Sequence, residues 1–129
     1  LGLISFGSTI LSIELILGYL FMPLAFLMGA PWSEAHVLGS LMGQKLVLTE
    51  FIAYGNLASL GNSVSTKTAT IAAYALCGFA NFASIGIQLG GIGSIAPERK
   101  KDLAKLVMKA MIGGALASWL TATIAGILL

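Results

Sequence analysis

The sequence predicts an all-α, polytopic membrane protein with a re-entrant helical hairpin and a discontinuous transmembrane helix. Of its 129 residues, 57% are hydrophobic and only 9% are charged, whereas a soluble domain carries about 25% charged residues. These charges are too few to cover a globule of this size, so most of the surface must contact lipid or other protein. Short polar breaks between the apolar runs then divide the chain into four segments.

The first segment, residues 1–28, is predicted to be a transmembrane helix, because about 20 apolar residues cross the core of a bilayer. Its start has neither a basic region nor a cleavage site, so no signal peptide is recognisable. We interpret the chain as a piece of a longer polypeptide. Glu14 is the one charge in this run, and pairing with a neighbouring helix is the expected reason for its presence.

The second segment, residues 29–62, is predicted to form a re-entrant hairpin. Ser33 has the character of an N-cap, and the helical pattern that follows it ends by Val47, too early to span a bilayer. A second short run covers residues 51–60. Two half-length pieces in succession indicate a segment that enters the membrane, turns near Glu50 and leaves on the same side. Such a turn is tolerated where it lines a watery or protein-enclosed cavity.

The third segment, residues 63–95, is predicted to be one transmembrane helix that is broken in its middle. Its length suits a single crossing, but Gly78, Asn81 and Ser84 lower the helix propensity at its centre. A break at that point would free backbone amides and carbonyls near the bilayer midplane. Discontinuous helices of this kind are typical of the binding sites of secondary transporters.

The fourth segment, residues 96–129, is predicted to be a basic loop followed by a final transmembrane helix. Five of the seven basic residues lie between Arg99 and Lys109, which places this loop in the cytoplasm by the positive-inside rule. Both ends of the hairpin then face the outside. Small residues recur at every fourth position of the last helix and predict close packing against other helices: Ala110, Gly114, Ser118, Ala122 and Gly126.

Three polar residues at the expected mid-membrane level form the candidate binding site. Glu50 lies at the hairpin tip, and Asn81 and Ser84 are three apart, so that one helical turn presents both to the same side. A carboxylate, an amide and a hydroxyl together offer the donors and acceptors that a polyhydroxylated solute needs. Phe79 or Phe82 could supply an apolar face for a ring.

Structural explanations for the same residues stay open. Asn81 and Ser84 could hydrogen-bond a neighbouring helix, and Glu50 could pair with Lys45 across the turn. His36 is expected to be interfacial, with a proton relay as the alternative. Gln44 and Gln88 are expected to pack or to line a pore, and Cys77 to be a small packing residue.

The residues do not favour an enzyme. A nucleophile such as Ser84 needs a base held by a third group, and the single histidine, His36, falls in another segment. The single cysteine excludes an internal disulfide, and no metal-ligand spacing is present.

Several stretches resemble the C-terminal half of concentrative nucleoside transporters. They read GAPW at 29–32, LMGQKLVLTEF at 41–51, YALCGFANFASIGIQLGGIG at 74–93 and SIAPER at 94–99. The resemblance implies the sixth helix, the second re-entrant hairpin, the broken seventh helix and the eighth helix of that fold. It also implies a homotrimer in which each transport domain moves against a scaffold.

The resemblance further implies that Glu50, Asn81 and Ser84 bind the ribose of a nucleoside such as uridine and that Phe79 lies beside it. The base-reading hairpin and the site for the coupling cation, sodium or a proton, belong to the family's N-terminal half. The expected function is therefore cation-coupled nucleoside symport across the cytoplasmic membrane, with no nucleic-acid partner, metal or other cofactor. The alternative is a structural or assembly segment of a membrane complex without solute flux.

Overall fold

The computed structural model describes the backbone of residues 2–6 and 9–129 and the side chains from Leu15 onward. Its described part begins with two short antiparallel strands, β1 (Gly2–Phe6) and β2 (Thr9–Ser12), in which Phe6 pairs with Thr9. Helices build the rest of the described chain, in agreement with the all-α class.

The first helix, α1, covers Ile13–Leu27, so the helix predicted over residues 1–28 begins later than expected. β-branched residues such as Ile4, Thr9 and Ile10 favour extended backbone over helix, which accounts for the difference. The expected pairing of Glu14 lies outside the described side chains.

Helices α2 (Trp32–Val47) and α3 (Glu50–Leu60) form the expected pair of short helices, separated by two residues. The N-cap of α2 is Pro31, with φ −56°, and not the predicted Ser33. Proline suits a helix start because its ring fixes φ. The backbone N–H that it lacks would have no partner within the helix at that position. Thr49 caps α3, because its hydroxyl accepts a hydrogen bond from the Ile52 amide at 3.4 Å.

Helix α2 lies very close to α1 because glycines remove the side chains between them. A Cβ added at Gly39 would lie 2.6 Å from the Gly18 carbonyl oxygen of α1, and one added at Gly43 would meet Leu17. Backbones approach this closely only where small residues line the contact. The interface therefore sets where the hairpin stands relative to α1.

The discontinuous helix is observed at the expected place. Helix α4 covers Thr66–Leu76 and α5 covers Phe82–Ile95, with an irregular stretch between them. Gly78 adopts φ +135° in this stretch, a conformation that side-chain-bearing residues rarely take.

The last helix, α6, covers Lys100–Leu128 after a 3₁₀ turn at Pro97–Arg99. Within the described residues, the Pro97–Leu128 stretch is the one helical segment long and apolar enough to cross a membrane by itself. The stripe of small residues on α6 packs only in part: Ser118, Ala122 and Gly126 are buried, whereas Ala110 and Gly114 are exposed. Its buried half lies against α4 and the end of α1, where Gly126 contacts the Met28 backbone.

Candidate functional site

The site is built around the break between α4 and α5. Asn81 is the N-cap of α5 and forms a reciprocal capping box with Ser84. The Asn81 side-chain oxygen accepts from the Ser84 amide at 2.8 Å, and the Ser84 hydroxyl accepts from the Asn81 amide at 3.3 Å. The same hydroxyl donates to the Asn81 carbonyl at 2.6 Å. Local hydrogen bonds therefore fix both polar side chains at the start of α5.

The break faces the tip of the hairpin. Asn81 donates a hydrogen bond from Nδ2 to Oε2 of Glu50 at 2.7 Å, across 31 residues of sequence. Asn81 is only 3% exposed and Glu50 is half-buried. Among the described residues no other side chain donates to Glu50, so Oε1 keeps its capacity to accept a hydrogen bond. The structure thus brings together Glu50, Asn81 and Ser84.

Phe79 stands at the edge of the same site with 79% of its surface exposed. Together with Ser84 and Gln88 it lines a cleft of about 260 Å³ whose opposite wall is formed by α6 at Met111 and Gly114. Phe82, the other aromatic side chain considered, does not line this cleft. Gln88 lines it one turn beyond Ser84, as expected of a cavity-lining residue.

Lys45, which the sequence analysis considered only as a partner of Glu50, takes a buried position beside the break. It is completely buried, and Nζ donates to the Ala75 carbonyl at 2.9 Å and to the Ser118 hydroxyl at 2.7 Å. It therefore does not form the ion pair with Glu50 considered above; in the part of the chain that is described, the ion pair present joins Arg99 and Asp102. One feature of the sequence could have indicated this position: Lys45 is a charged residue in a segment expected to lie within the membrane, where charged side chains are rare and need partners.

Tyr54 of α3 also contacts the end of α4. Its hydroxyl donates to the Ala73 carbonyl at 2.6 Å. The last turn of a helix leaves carbonyls without intrahelical partners, and the break creates such a turn. The hairpin therefore supplies donors to the end of α4, from Lys45 and Tyr54, and an acceptor to the start of α5, from Glu50.

The remaining candidates take structural positions. His36 lies against α1: its ring is 4.5 Å from that of Tyr19, and its Nε2 is buried without a hydrogen-bond partner among the described residues. Gln44 joins the two helices of the hairpin, since it accepts from Asn56 at 2.6 Å. Cys77 is exposed, so its predicted packing role is wrong; the residue falls in the open break and not within a helix.

Comparison with known proteins gives consistent matches over almost the whole chain. The family model described as "Na+ dependent nucleoside transporter C-terminus" matches residues 1–126. The uncharacterized transporter YutK of Bacillus subtilis is 55% identical over 121 residues, which cover 94% of this chain and 30% of that protein. Mouse solute carrier family 28 member 3 is 46% identical, over 92% of this chain and 19% of that protein.

The fold matches solved structures as well. CNTnw in an inward-facing substrate-bound state superposes with a TM-score of 0.85 and 45% sequence identity, over 90% of this chain and 29% of that one. A further CNTnw structure, an outward-facing double variant, gives a TM-score of 0.87 over 94% of this chain and 30% of that one. The chain thus spans less than a third of the length of these relatives.

Proposed function

Because the chain belongs to the family defined by the C-terminal part of Na⁺-dependent nucleoside transporters, we propose that its parent protein takes up nucleosides in symport with a cation. The chain supplies the ribose-binding half of the site. The relatives are named as transporters and nucleoside permeases, which supports solute transport as the function of the parent.

The observation that carries this proposal is the contact between Asn81 Nδ2 and Glu50 Oε2 at 2.7 Å. It joins a carboxylate acceptor and an amide donor from two separate elements, and Phe79, two residues before Asn81, has its side chain exposed. Neighbouring ribose hydroxyls can donate to the free positions of the carboxylate, and the second Nδ2 hydrogen of Asn81 can donate to a hydroxyl oxygen. The Ser84 hydroxyl, held in the capping box, lines the cleft beside them.

The other parts of the transport cycle are proposed from the family. The coupling cation, sodium or a proton, binds mainly to the N-terminal part of the parent protein, which also reads the base. The parent is a homotrimer in the cytoplasmic membrane. The basic segment between Arg99 and Lys109 faces the cytoplasm, since lysine and arginine collect on that side.

The test is uptake of radiolabelled uridine by cells that express the full-length parent, with and without a sodium gradient. The Glu50→Gln variant keeps the size of the side chain but loses its charge. Hydrogen bonds to charged groups contribute about 1.5–3 kcal/mol, so its uridine uptake at low concentration falls by roughly 10- to 100-fold. Glu98→Gln, at an exposed position in the turn before α6, is the matched control and leaves uptake unchanged.

The outcomes separate the proposal from its alternative. Accumulation that depends on a cation gradient, and that is lost in a normally expressed Glu50→Gln protein, supports nucleoside symport and the ribose role of Glu50. A parent that takes up no nucleoside refutes the transport proposal and favours a structural segment without solute flux. Equal uptake by the parent and by its Glu50→Gln variant refutes only the ribose role of Glu50 and leaves the transport proposal standing.

A further inference from the structure

The hairpin places opposite charges at the two ends of the broken helix. The Lys45 ammonium lies at the C-terminus of α4, where it binds the Ala75 carbonyl, and the Glu50 carboxylate lies at the N-cap of α5, where it binds Asn81. A helix C-terminus carries partial negative charge and an N-terminus partial positive charge. Each charge of the hairpin therefore faces the helix end of opposite sign.

The buried position of Lys45 makes its contacts hard to replace. None of its surface is exposed, and a buried ammonium is costly unless it is hydrogen-bonded. Its two acceptors belong to different elements, the Ala75 carbonyl to α4 and the Ser118 hydroxyl to α6. The ammonium thus joins the hairpin, the broken helix and the last helix at one point.

The path of the chain through the break follows Lys45 closely. Gly78 comes three residues after Ala75, and a Cβ added to it would stand 3.8 Å from Nζ of Lys45 and 3.7 Å from Cβ of Ser118. The next residues are Phe79, which lines the cleft, and then Asn81, which binds Glu50. A displacement of the C-terminal end of α4 would therefore also displace Phe79 and Asn81, which are proposed to hold the nucleoside.

We propose that Lys45 is a positioning residue for the ribose site. It fixes the end of α4, and through the short stretch of Gly78 it fixes the distance of Asn81 and Phe79 from Glu50. Ser118 extends the same restraint to α6. This inference rests on the proposed nucleoside function, and it assigns no contact between Lys45 and the substrate.

A purely structural lysine would have a different signature from a positioning one. Loss of a structural residue lowers the amount of folded protein and weakens all ligands alike. Loss of a positioning residue weakens the ligand that uses the ribose contacts more than one that lacks them. The ratio of the affinities for uridine and for 2′,3′-dideoxyuridine, which lacks the 2′- and 3′-hydroxyls, distinguishes a positioning lysine from a structural one.

The experiment measures both affinities by calorimetry on the purified full-length parent. Lys45→Met keeps the length of the side chain and removes the ammonium, and Ser118→Ala removes only the acceptor on α6. Lys105→Met, at an exposed position of α6, is the control. We expect Lys45→Met to weaken uridine binding at least about tenfold, the scale of one charged hydrogen bond, and dideoxyuridine binding by less than about threefold. Ser118→Ala shifts the ratio in the same direction by a smaller factor, and Lys105→Met leaves it unchanged.

An unchanged ratio in folded Lys45→Met protein, including equal loss of both ligands, overturns the inference. If that variant is not recovered as folded protein, the ratio for Ser118→Ala decides in the same way. A wild-type parent that does not bind uridine refutes the proposed function instead. Wild-type binding with an unaltered ratio in the variants refutes only the role of Lys45.

Discussion

Asn81 shows how one small side chain serves two purposes through separate atoms. Its Oδ1 accepts from the Ser84 amide and caps α5, while its Nδ2 donates to Glu50. The first contact stabilises the helix, and the second fixes one oxygen of the Glu50 carboxylate at the start of α5. Since the atoms differ, substitutions can remove one role and keep the other.

Asn81→Ser is predicted to separate these roles. Serine caps helices about as well as asparagine, so the apparent melting temperature of the full-length protein in detergent stays near the wild-type value. Its hydroxyl is too short to take the place of the amide beside Glu50, so uridine affinity falls by about tenfold, the scale of one hydrogen bond to a charged group.

Asn81→Ala is the comparison, because it loses cap and donor together. We expect it to weaken uridine binding as much as Asn81→Ser does and to lose about 1 kcal/mol of stability in addition. Calorimetric binding and thermal unfolding of the same samples check both. Wild-type affinity in the Asn81→Ser protein would show that the contact with Glu50 is not needed for binding.

Among the elements, the broken helix depends most on one backbone angle. Gly78 at φ +135° directs the chain away from the axis of α4, so that Asn81 can start α5 as a new helix. Space is not the constraint at this position, because an added Cβ would make only ordinary contacts. The constraint is the backbone conformation itself.

Gly78→Ala is predicted to destabilise the protein for this reason. A non-glycine residue in such a region costs about 1–3 kcal/mol, which lowers the apparent melting temperature measured in detergent. Gly86→Ala, in the interior of α5 with open space around it, is the matched control. Alanine favours helix over glycine there by roughly 0.5–1 kcal/mol, so this variant is as stable as wild type or more so. Equal stability of the two variants would contradict the role assigned to the angle.

The elements that were predictable from the sequence are those with local signals. Gly78 and Asn81 mark the break by their own conformational preferences, and Leu48 and Thr49 interrupt the helical pattern between α2 and α3. The start of α1 was less clear, because an apolar run satisfies the length of a crossing helix while its β-branched residues favour extended backbone.

The contacts of Lys45 were not predictable in the same way. One acceptor is the backbone carbonyl of an alanine, which leaves no trace in the sequence, and the other is Ser118, 73 residues away. The convergence of Glu50, Asn81 and Ser84 could be predicted only in outline, from the expected depth of the hairpin tip and the break. That the deep hairpin lies within a membrane stays a prediction.

For the whole molecule, helix length and charge distribution together indicate the orientation in the membrane. Helix α6 has 29 residues, or about 44 Å at 1.5 Å per residue, which exceeds a hydrocarbon core of about 30 Å. Its first turns carry Lys101, Lys105 and Lys109, all exposed. The excess length can therefore stand at the level of the headgroups, with the lysines in water.

Cysteine labelling of the full-length parent tests this orientation. In a parent in which Cys77 and any other cysteines are replaced by serine, Lys101→Cys is predicted to react with a membrane-impermeant maleimide in inside-out vesicles and not in intact cells. Asn62→Cys, in the exposed turn between α3 and α4, is predicted to react in intact cells. Labelling of both positions from one side would contradict the proposed topology.

The long-range contacts of Lys45 also have a consequence for biosynthesis. The lysine leaves the ribosome 30 residues before Ala75 and 73 residues before Ser118. At about 5–20 residues per second, the second interval lasts roughly 4–15 s. Until then the ammonium lacks the Ser118 acceptor of the finished protein, so hydrogen bonds to water are more favourable for it than burial. We therefore predict that the hairpin reaches its final position late, after α6 has been made, although its own residues are translated before those of α6.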